Sequence, residues 1–591
     1  MEDYYCLGID LGTTKSSVGI CINGKIEIIP DKETRNKFIP SVVSFTENDI
    51  LIGESAKNNI EKNYKNTIYN IMILIGKKFD DPEIQKEIKL LPYKVIKGEN
   101  NKLKIEVEYK KKIKTFFPEE ILAFILSKLK RNVKEYLGKE INDTVISCPN
   151  YFNYIQKEAI RLACTIAGLN LIRNINGTNA FAISYYYNNI IQEEKNVLIF
   201  HLGAGFFDVG IMTIDNSLSI LIEVKSICGD SYLGGEYFDN RLLEYCINKF
   251  KEENGIDISN NKKALLRLKL SCEKAKINLS KMEITTIALD DLINEEDFYI
   301  TITRSEFEGL CKKDFDKLIP IIEECLNNIN FTKYNIDDIF LIGESTHIPK
   351  IKQIVKDYFE KDVNKTYSLE SETIGATIQS AISNNLDENF LHIVLLEVIP
   401  FSLGIELDNG EMDVIISKNT TVPCECIKSY EFEIKNKNKI IIKAYEGEKR
   451  LAKENIFLGI IEIANIVPNQ GKKIRIDVKF LLDINGSLIL QFYDSNGGQI
   501  NNLKIKMDYE MDEDIIDKLI YKAKEIEEDD KRYVEKMKIK NELLSIVMIL
   551  INNKNKNIKK QAEETLIWIK SNPDASKKEY ENKLTLIKTN K

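Results

Sequence analysis

The segment 9-IDLGTTKSSVGI-20 recurs as 200-FHLGAGFFDVGI-211, with Leu-Gly and Val-Gly-Ile in the same register. The fold must therefore present one small-residue turn twice, about 190 residues apart, each time between two apolar strands. A strand that ends in such a turn and returns as a second strand lines up backbone N–H groups at its tip. Gly and Thr let phosphate oxygens approach those donors. The two copies differ at their tips: Asp10 before the first Leu-Gly becomes His201, and Thr13 and Thr14 become Ala204 and Gly205. An acid at the first of these places can hold a magnesium hydration shell against phosphates. Two such hairpins facing across a cleft would clamp a triphosphate. Ordinary hairpin chemistry with no ligand explains one copy well, but two copies in register less well.

The rest of the chain supplies lobes to carry the hairpins. Segments 4-YYCLGID-10, 17-SVGICI-22, 142-NDTVISCP-149 and 196-NVLIF-200 read as buried strands, and helical patterns such as 118–138 lie between them. Pro118, Glu119 and Glu120 start that helix and Gly138 stops it. This alternation predicts two related α/β lobes over residues 1–388. After residue 400 short alternating segments joined by turns predict a β-sandwich over 400–508, and a charged helical stretch fills 509–591. The intervening 389–399 is a linker by position, yet 389-NFLHIVLLEV-398 is apolar and is expected to dock. Within the last stretch, 543-LLSIVMILI-551 is apolar on every face, which fits the interior of a small helical bundle better than a partner surface.

Bulk properties exclude several classes. A net charge of −8 and a pI near 5.5 argue against a nucleic-acid partner. Eleven cysteines without a C-x-x-C and only three histidines argue against zinc, and fit free thiols in a reducing compartment. The acidic start MEDYY is not a leader pattern. The run 543–551 falls well short of the roughly 20 apolar residues of a membrane span. A cytoplasmic protein with no membrane association is expected.

The ordered segments 8-GIDLGTT-14, 79-FDDPEIQ-85, 166-IAGLNLIRNIN-176, 229-GDSYLGGEYFDNR-241, 272-CEKAKINLS-280, 341-LIGESTHIPKI-351, 395-LLEVIPFSLGIE-406 and 419-NTTVP-423 resemble the heat shock protein 70 (Hsp70) chaperone family, from about residue 4 to 545. The resemblance implies an actin-like ATPase domain, a β-sandwich that holds peptides, and a helical lid. It implies ATP or ADP with Mg2+, unfolded or extended polypeptide clients, and J-domain co-chaperones or nucleotide-exchange factors as partners. Carried onto this sequence, the nucleotide residues are Gly12, Thr13, Thr14, Gly203, Gly205, Gly234, Gly235, Glu273, Lys276, Ser280 and Gly343. Asp10 and Asp208 are the catalytic acids, with Asp10 meeting the metal through water. Ile405, Tyr430, Ile440, Ile442, Ile476 and Val478 line the peptide groove, although alternating core positions of a sandwich would read the same way. Asp408 and Glu433 fall at its rim.

Several positions depart from the family pattern. The family's lysine is Met72, its glutamate is Gly177 and its second-loop aspartate is His201; Phe206, Ile277, Glu344, His347 and Leu369 also differ. His201 as a metal ligand lacks a second histidine nearby in sequence. These losses predict an impaired hydrolytic site, a pseudo-ATPase acting as a holdase or as a partner of an active relative, with its linker undocked. The alternatives are a conventional ATP-driven foldase and a scaffold or exchange-factor-like partner of an active Hsp70.

Overall fold

The computed structural model describes residues 5–589, apart from 190–192, 217–218, 364–366, 387–389, 391, 434–438, 464–472, 495–496, 501–502, 510, 553–554 and 573–574. Each copy of the repeated segment forms an antiparallel hairpin at the centre of a sheet. In lobe I, β1 (Leu7–Leu11) pairs with β2 (Lys15–Ile22), which carries β3 (Lys25–Ile28) on its far side. On its other side β1 runs parallel to β4 (Asp143–Cys148), and β4 parallel to β5 (Asn170–Asn176). Lobe II repeats the plan. Strands β6 (Lys195–Leu202) and β7 (Phe207–Asp215) form the hairpin, β8 (Ile220–Asp230) extends it, and β9 (Asp338–Ile342) runs parallel to β6. Both hairpins are buried on both faces, so they read as continuous apolar runs.

Helices cover these sheets. The pattern at 118–138 forms α1 (Pro118–Leu137), with Pro118 at its start and Gly138 at its left-handed C-cap. It is followed by α2 (Tyr154–Ile166), α3 (Gly177–Asn188), α4 (Lys262–Leu279) and α5 (Glu370–Ser383). Helices α3 and α5 cross between the lobes. They approach so closely that a Cβ on Gly375 would stand 1.7 Å from the carbonyl oxygen of Ala180. Small buried residues on α5, among them Thr373, Ala376 and Thr377, make that crossing possible.

The second half is a sandwich and a helical unit. Strands Met412–Ile416, Leu403–Glu406, Ile440–Glu446, Ile456–Ile463 and Leu503–Met507 form one sheet in that order. Cys424–Glu433, Lys473–Leu482 and Leu488–Asp494 form the other. The long α6 (Glu513–Leu550) then receives α7 (Lys556–Ser571) and α8 (Lys577–Thr589) at its end, burying Leu543, Val547 and Leu550 beside Ile569 and Tyr580. Met548 and Ile549 of the same run remain exposed, so the bundle takes only one side of it.

The linker is docked, which corrects the expectation of an open one. It forms β10 (Ile393–Val398), parallel to β8 of lobe II and antiparallel to Thr421–Val422. A buried ion pair lies at its end: Glu397 meets Arg173 of β5 and accepts a hydrogen bond from Asn179 of α3 at 2.6 Å. Burial pushes the Glu397 carboxyl upward, but Arg173, Lys157 and Asn179 outweigh it and hold it below the usual range. The sandwich rests on α2, where the Tyr154 N–H donates to Glu446 at 2.8 Å. The first part of α6 lies on lobe I, with Lys522 on Glu120 at 2.7 Å and Lys536 on Asp49 at 2.8 Å.

A candidate nucleotide cleft between the lobes

The two hairpin tips meet across a cavity of about 620 Å³. Their approach depends on Gly205, where an added Cβ would stand 2.8 Å from Thr13 Oγ1. Asp10, Gly12, Thr13 and Thr14 line the cavity from lobe I; Gly203, Gly205, Gly235, Glu273, Lys276, Ser280 and Gly343 line it from lobe II. Gly234 lies behind the wall, where its Cβ would collide with the Ala204 carbonyl at 2.5 Å. The structure thus gathers into one cleft residues separated by more than 300 positions.

The acids cluster at one end. Parallel pairing of β1 and β4 sets Ser147 beside Asp10, and its hydroxyl donates to Asp10 Oδ1 at 2.5 Å. Antiparallel pairing of β6 and β7 sets His201 opposite Asp208, with Nδ1 to Oδ2 at 3.8 Å. Asp208 Oδ1 accepts from the Tyr151 N–H at 3.3 Å. A residue not singled out in the sequence completes the group: Glu372, in the first turn of α5, stands with Oε1 3.3 Å from His201 Nε2. Burial raises Asp10 to about 7, helped by the charge of Glu372 and opposed by Ser147 and His201. Burial also raises Asp208 to about 6, and it raises Glu372 to about 8 with help from Asp208. Burial lowers the His201 imidazole, against the pull of Asp208 and Asp10.

Two of these side chains present buried carboxylate oxygens with no hydrogen-bond partner among the described residues, Asp208 Oδ2 and Glu372 Oε1, and His201 Nδ1 is likewise unpartnered. The shell of a hydrated Mg2+ offers donors only, so the donor-starved end of the cleft fits that ion held through water. No three His, Cys, Asp or Glu among the described residues stand at direct metal-ligand spacing.

At the other positions the sequence reading needs adjustment in detail. Met72 does not reach the cleft; it is packed in the lobe I core at 1% exposure. Lys77 and Lys78 point elsewhere, Lys77 over the Tyr232 ring and Lys78 onto Asp508. Phe206 lines the cavity but is anchored edge-on against Phe152, so it joins lobe I's core from lobe II. Glu344 bridges the cleft mouth to Lys15 at 2.9 Å, engaging the lysine of the first loop. Lys276 is held by Asp239 at 2.6 Å, and Ile277 is half exposed in the wall.

In the sandwich, Ile405, Ile440, Ile442, Ile476 and Val478 all face inward and are at most 3% exposed. Tyr430 is half-buried, with its hydroxyl on Asp413 at 2.6 Å. Asp408 is exposed, and the side chain of Glu433 lies outside what is described. In this docked arrangement the six positions serve as sandwich core and its margin.

A signal for Glu372 was present in the sequence. It shares a helical face with Ala376 and Ser380, at four-residue spacing among small buried residues, where a carboxylate is out of place. Glu344 stood out as a departure from the family pattern, but its pairing with Lys15 carried no signal, because exposed charges at surface turns are ordinary.

The family model of the Hsp70 protein matches residues 6–590. The "Heat shock 70 kDa protein" of Neurospora crassa is 37% identical over 595 residues, covering 98% of this chain and 91% of that protein. The "Heat shock cognate 70 kDa protein 3" of Dictyostelium discoideum is 37% identical over 599 residues, covering 98% and 94%. With a duplicated hairpin clamp, a docked apolar linker, a sandwich and a long terminal helix in one chain, matched along nearly its whole length, the protein belongs to the Hsp70 chaperone family.

Proposed function

We propose that this chaperone binds extended apolar segments of unfolded polypeptides, and that ATP or ADP with Mg2+ in the interlobe cleft sets the docking of its sandwich, with hydrolysis slow. The observation that carries the coupling is strand β5. Arg173 in its middle holds the linker acid Glu397, while its end, Asn176, leads into Gly177 in the cleft wall. A change at the cleft is therefore one strand away from the linker. Phosphoryl transfer rests on positioning and charge neutralisation. Bound Mg2+ would neutralise phosphate charge at the acidic end. The chain's own basic groups contribute little there: Lys15 is engaged by Glu344, and Met72 is buried in the core.

Client binding rests on family membership. The sandwich residues Ile405, Tyr430, Ile440, Ile442, Ile476 and Val478 would seat an aliphatic client side chain once the sandwich leaves lobe I and its sheets part. J-domain co-chaperones, exchange factors or an active Hsp70 are the proposed partners, and the cytoplasm the proposed compartment. No described helix is long and apolar enough to cross a membrane. One observation favours a second reading, the conventional ATP-driven foldase: a fourth side chain, Glu372, restores a carboxylate to the acidic end.

Calorimetric titration with MgATP followed by single-turnover hydrolysis separates the two. The expected result is nucleotide binding with hydrolysis at least about tenfold slower than in the Neurospora relative, equivalent to about 1.4 kcal/mol of lost transition-state stabilisation. A rate equal to the relative's, abolished by Asp10→Ala, would overturn the slow reading in favour of the foldase.

A further inference from the structure

Glu372 is a carboxylate where helix packing would favour a small or apolar side chain. Its helix α5 crosses α3 at the Gly375–Ala180 contact, and that crossing fixes Glu372 over the first residue of α3, Gly177. A Cβ on Gly177 would lie 3.2 Å from Glu372 Oε1 and 3.5 Å from His201 Nδ1, so position 177 and the Glu372 carboxylate compete for one volume. Glu372 side-chain exposure is 16%, that of His201 17% and that of Asp208 1%. All three, with Asp10, line the same end of the cleft.

The hydrogen-bond pattern identifies what the end of the cleft accepts. One oxygen of Asp10 is taken by Ser147 and one of Asp208 by the Tyr151 N–H. Asp208 Oδ2 and Glu372 Oε1 remain as buried carboxylate oxygens without a hydrogen-bond partner among the described residues. Phosphate oxygens are acceptors themselves and cannot satisfy them. The missing partner must bring several donors and positive charge, and must fit between these groups and the two hairpin tips. A hydrated divalent cation does so.

We propose that Glu372 shares with Asp10 and Asp208 the task of holding the water shell of the nucleotide's divalent cation, and that His201 acts as its positioning residue. Glu372 enters from α5 into the space that Gly177 leaves open, and His201 Nε2, 3.3 Å away, limits where its carboxylate can turn. This inference rests on the reading of the cleft as a nucleotide site.

The test compares ADP affinity with Mg2+ and with EDTA, by calorimetry on the full chain. In Glu372→Gln, which keeps the shape and removes the charge, the Mg2+ enhancement of ADP affinity should fall about 10- to 100-fold, the range found when groups supporting a bound metal are removed. Affinity in EDTA should hold, because the carboxylate acts only through the cation. In Glu372→Val/Gly177→Glu, a carboxylate returns to the same volume from α3, and most of the enhancement should return. An unchanged enhancement in Glu372→Gln overturns the proposal, as does an equal loss with and without Mg2+, which marks structural damage. If the unaltered protein binds no ADP under either condition, the nucleotide reading fails and the proposal with it. Binding that ignores Glu372 refutes the proposal alone.

Discussion

Glu446 is a buried acid on the docking face. Burial raises its carboxyl to about 7, against the Tyr154 N–H and Lys157, which favour the charged form. Departure of the sandwich from lobe I is expected to bring the carboxyl back toward the ordinary value of 4.5. Docking is thus favoured by the proton. The contribution is complete below about 4.5 and disappears as pH rises through about 7. Glu397 behaves in the opposite sense, since its depressed pKa removes stability only as pH falls below the ordinary carboxyl range. Between pH 5.5 and 8 the Glu446 effect stands alone among these two acids. Protease protection of the sandwich–lobe contact should weaken across that window in the unaltered protein and stay level in Glu446→Gln. A parallel decline in both proteins would assign the pH dependence to other groups.

Two elements carry the interlobe geometry. At the crossing of α3 and α5, Gly375→Ala would place its methyl 1.7 Å from a backbone oxygen that no rotamer change can move. The expected cost is about 1–3 kcal/mol, seen as a lower melting temperature of the α/β lobes, with weaker nucleotide binding because Glu372 and Gly177 are displaced together. Strand β10 depends on the buried Arg173–Glu397 pair. Arg173→Ala leaves the buried Glu397 with only Asn179 and the charge of Lys157, at a cost of up to about 3–5 kcal/mol to docking. Limited proteolysis within 389–398 should become faster, whereas the apolar pair Arg173→Met/Glu397→Leu should keep the linker protected. Equal cleavage of Arg173→Ala and the unaltered protein would mean that apolar pairing of β10 with β8 suffices.

Across the whole molecule, docking joins several contacts, among them three: β10 in lobe II's sheet, the sandwich on α2, and α6 on lobe I. Lys522 is the centre of the third. Its ammonium lies 2.7 Å from Glu120, whose side chain is 3% exposed, and 3.8 Å above the Phe116 ring. Lys522→Glu sets two acids together at a buried site and should detach the first half of α6, at a cost of about 3 kcal/mol or more. Hydrogen exchange should then rise along α1 and the start of α6 while β10 stays protected. Simultaneous deprotection of β10 would instead make the three contacts one cooperative unit.

The duplicated segment, read with elementary strand and turn chemistry, was enough to specify two hairpins and their small-residue tips. Those features are local: each depends on residues within a dozen positions, and Pro118 and Gly138 mark a helix the same way in any fold. The apolar linker signalled docking because a run such as 393–398 must cover its side chains. Its companions Arg173 and Asn179, more than 200 positions away, did not, and so the expectation that a depleted cleft leaves the linker open failed. The acidic cluster followed the same division. Asp10 and Asp208 were legible because they sit beside the repeated turns, while Glu372 enters through a helix crossing set by Gly375 and Ala180. The inward-facing residues of the sandwich were ambiguous for a different reason: a period of two marks one face of a strand, and the same pattern serves a core or a groove. Local chemistry is written in neighbouring residues. Which distant charges meet is decided by close packing, which the sequence encodes only through the assembled fold.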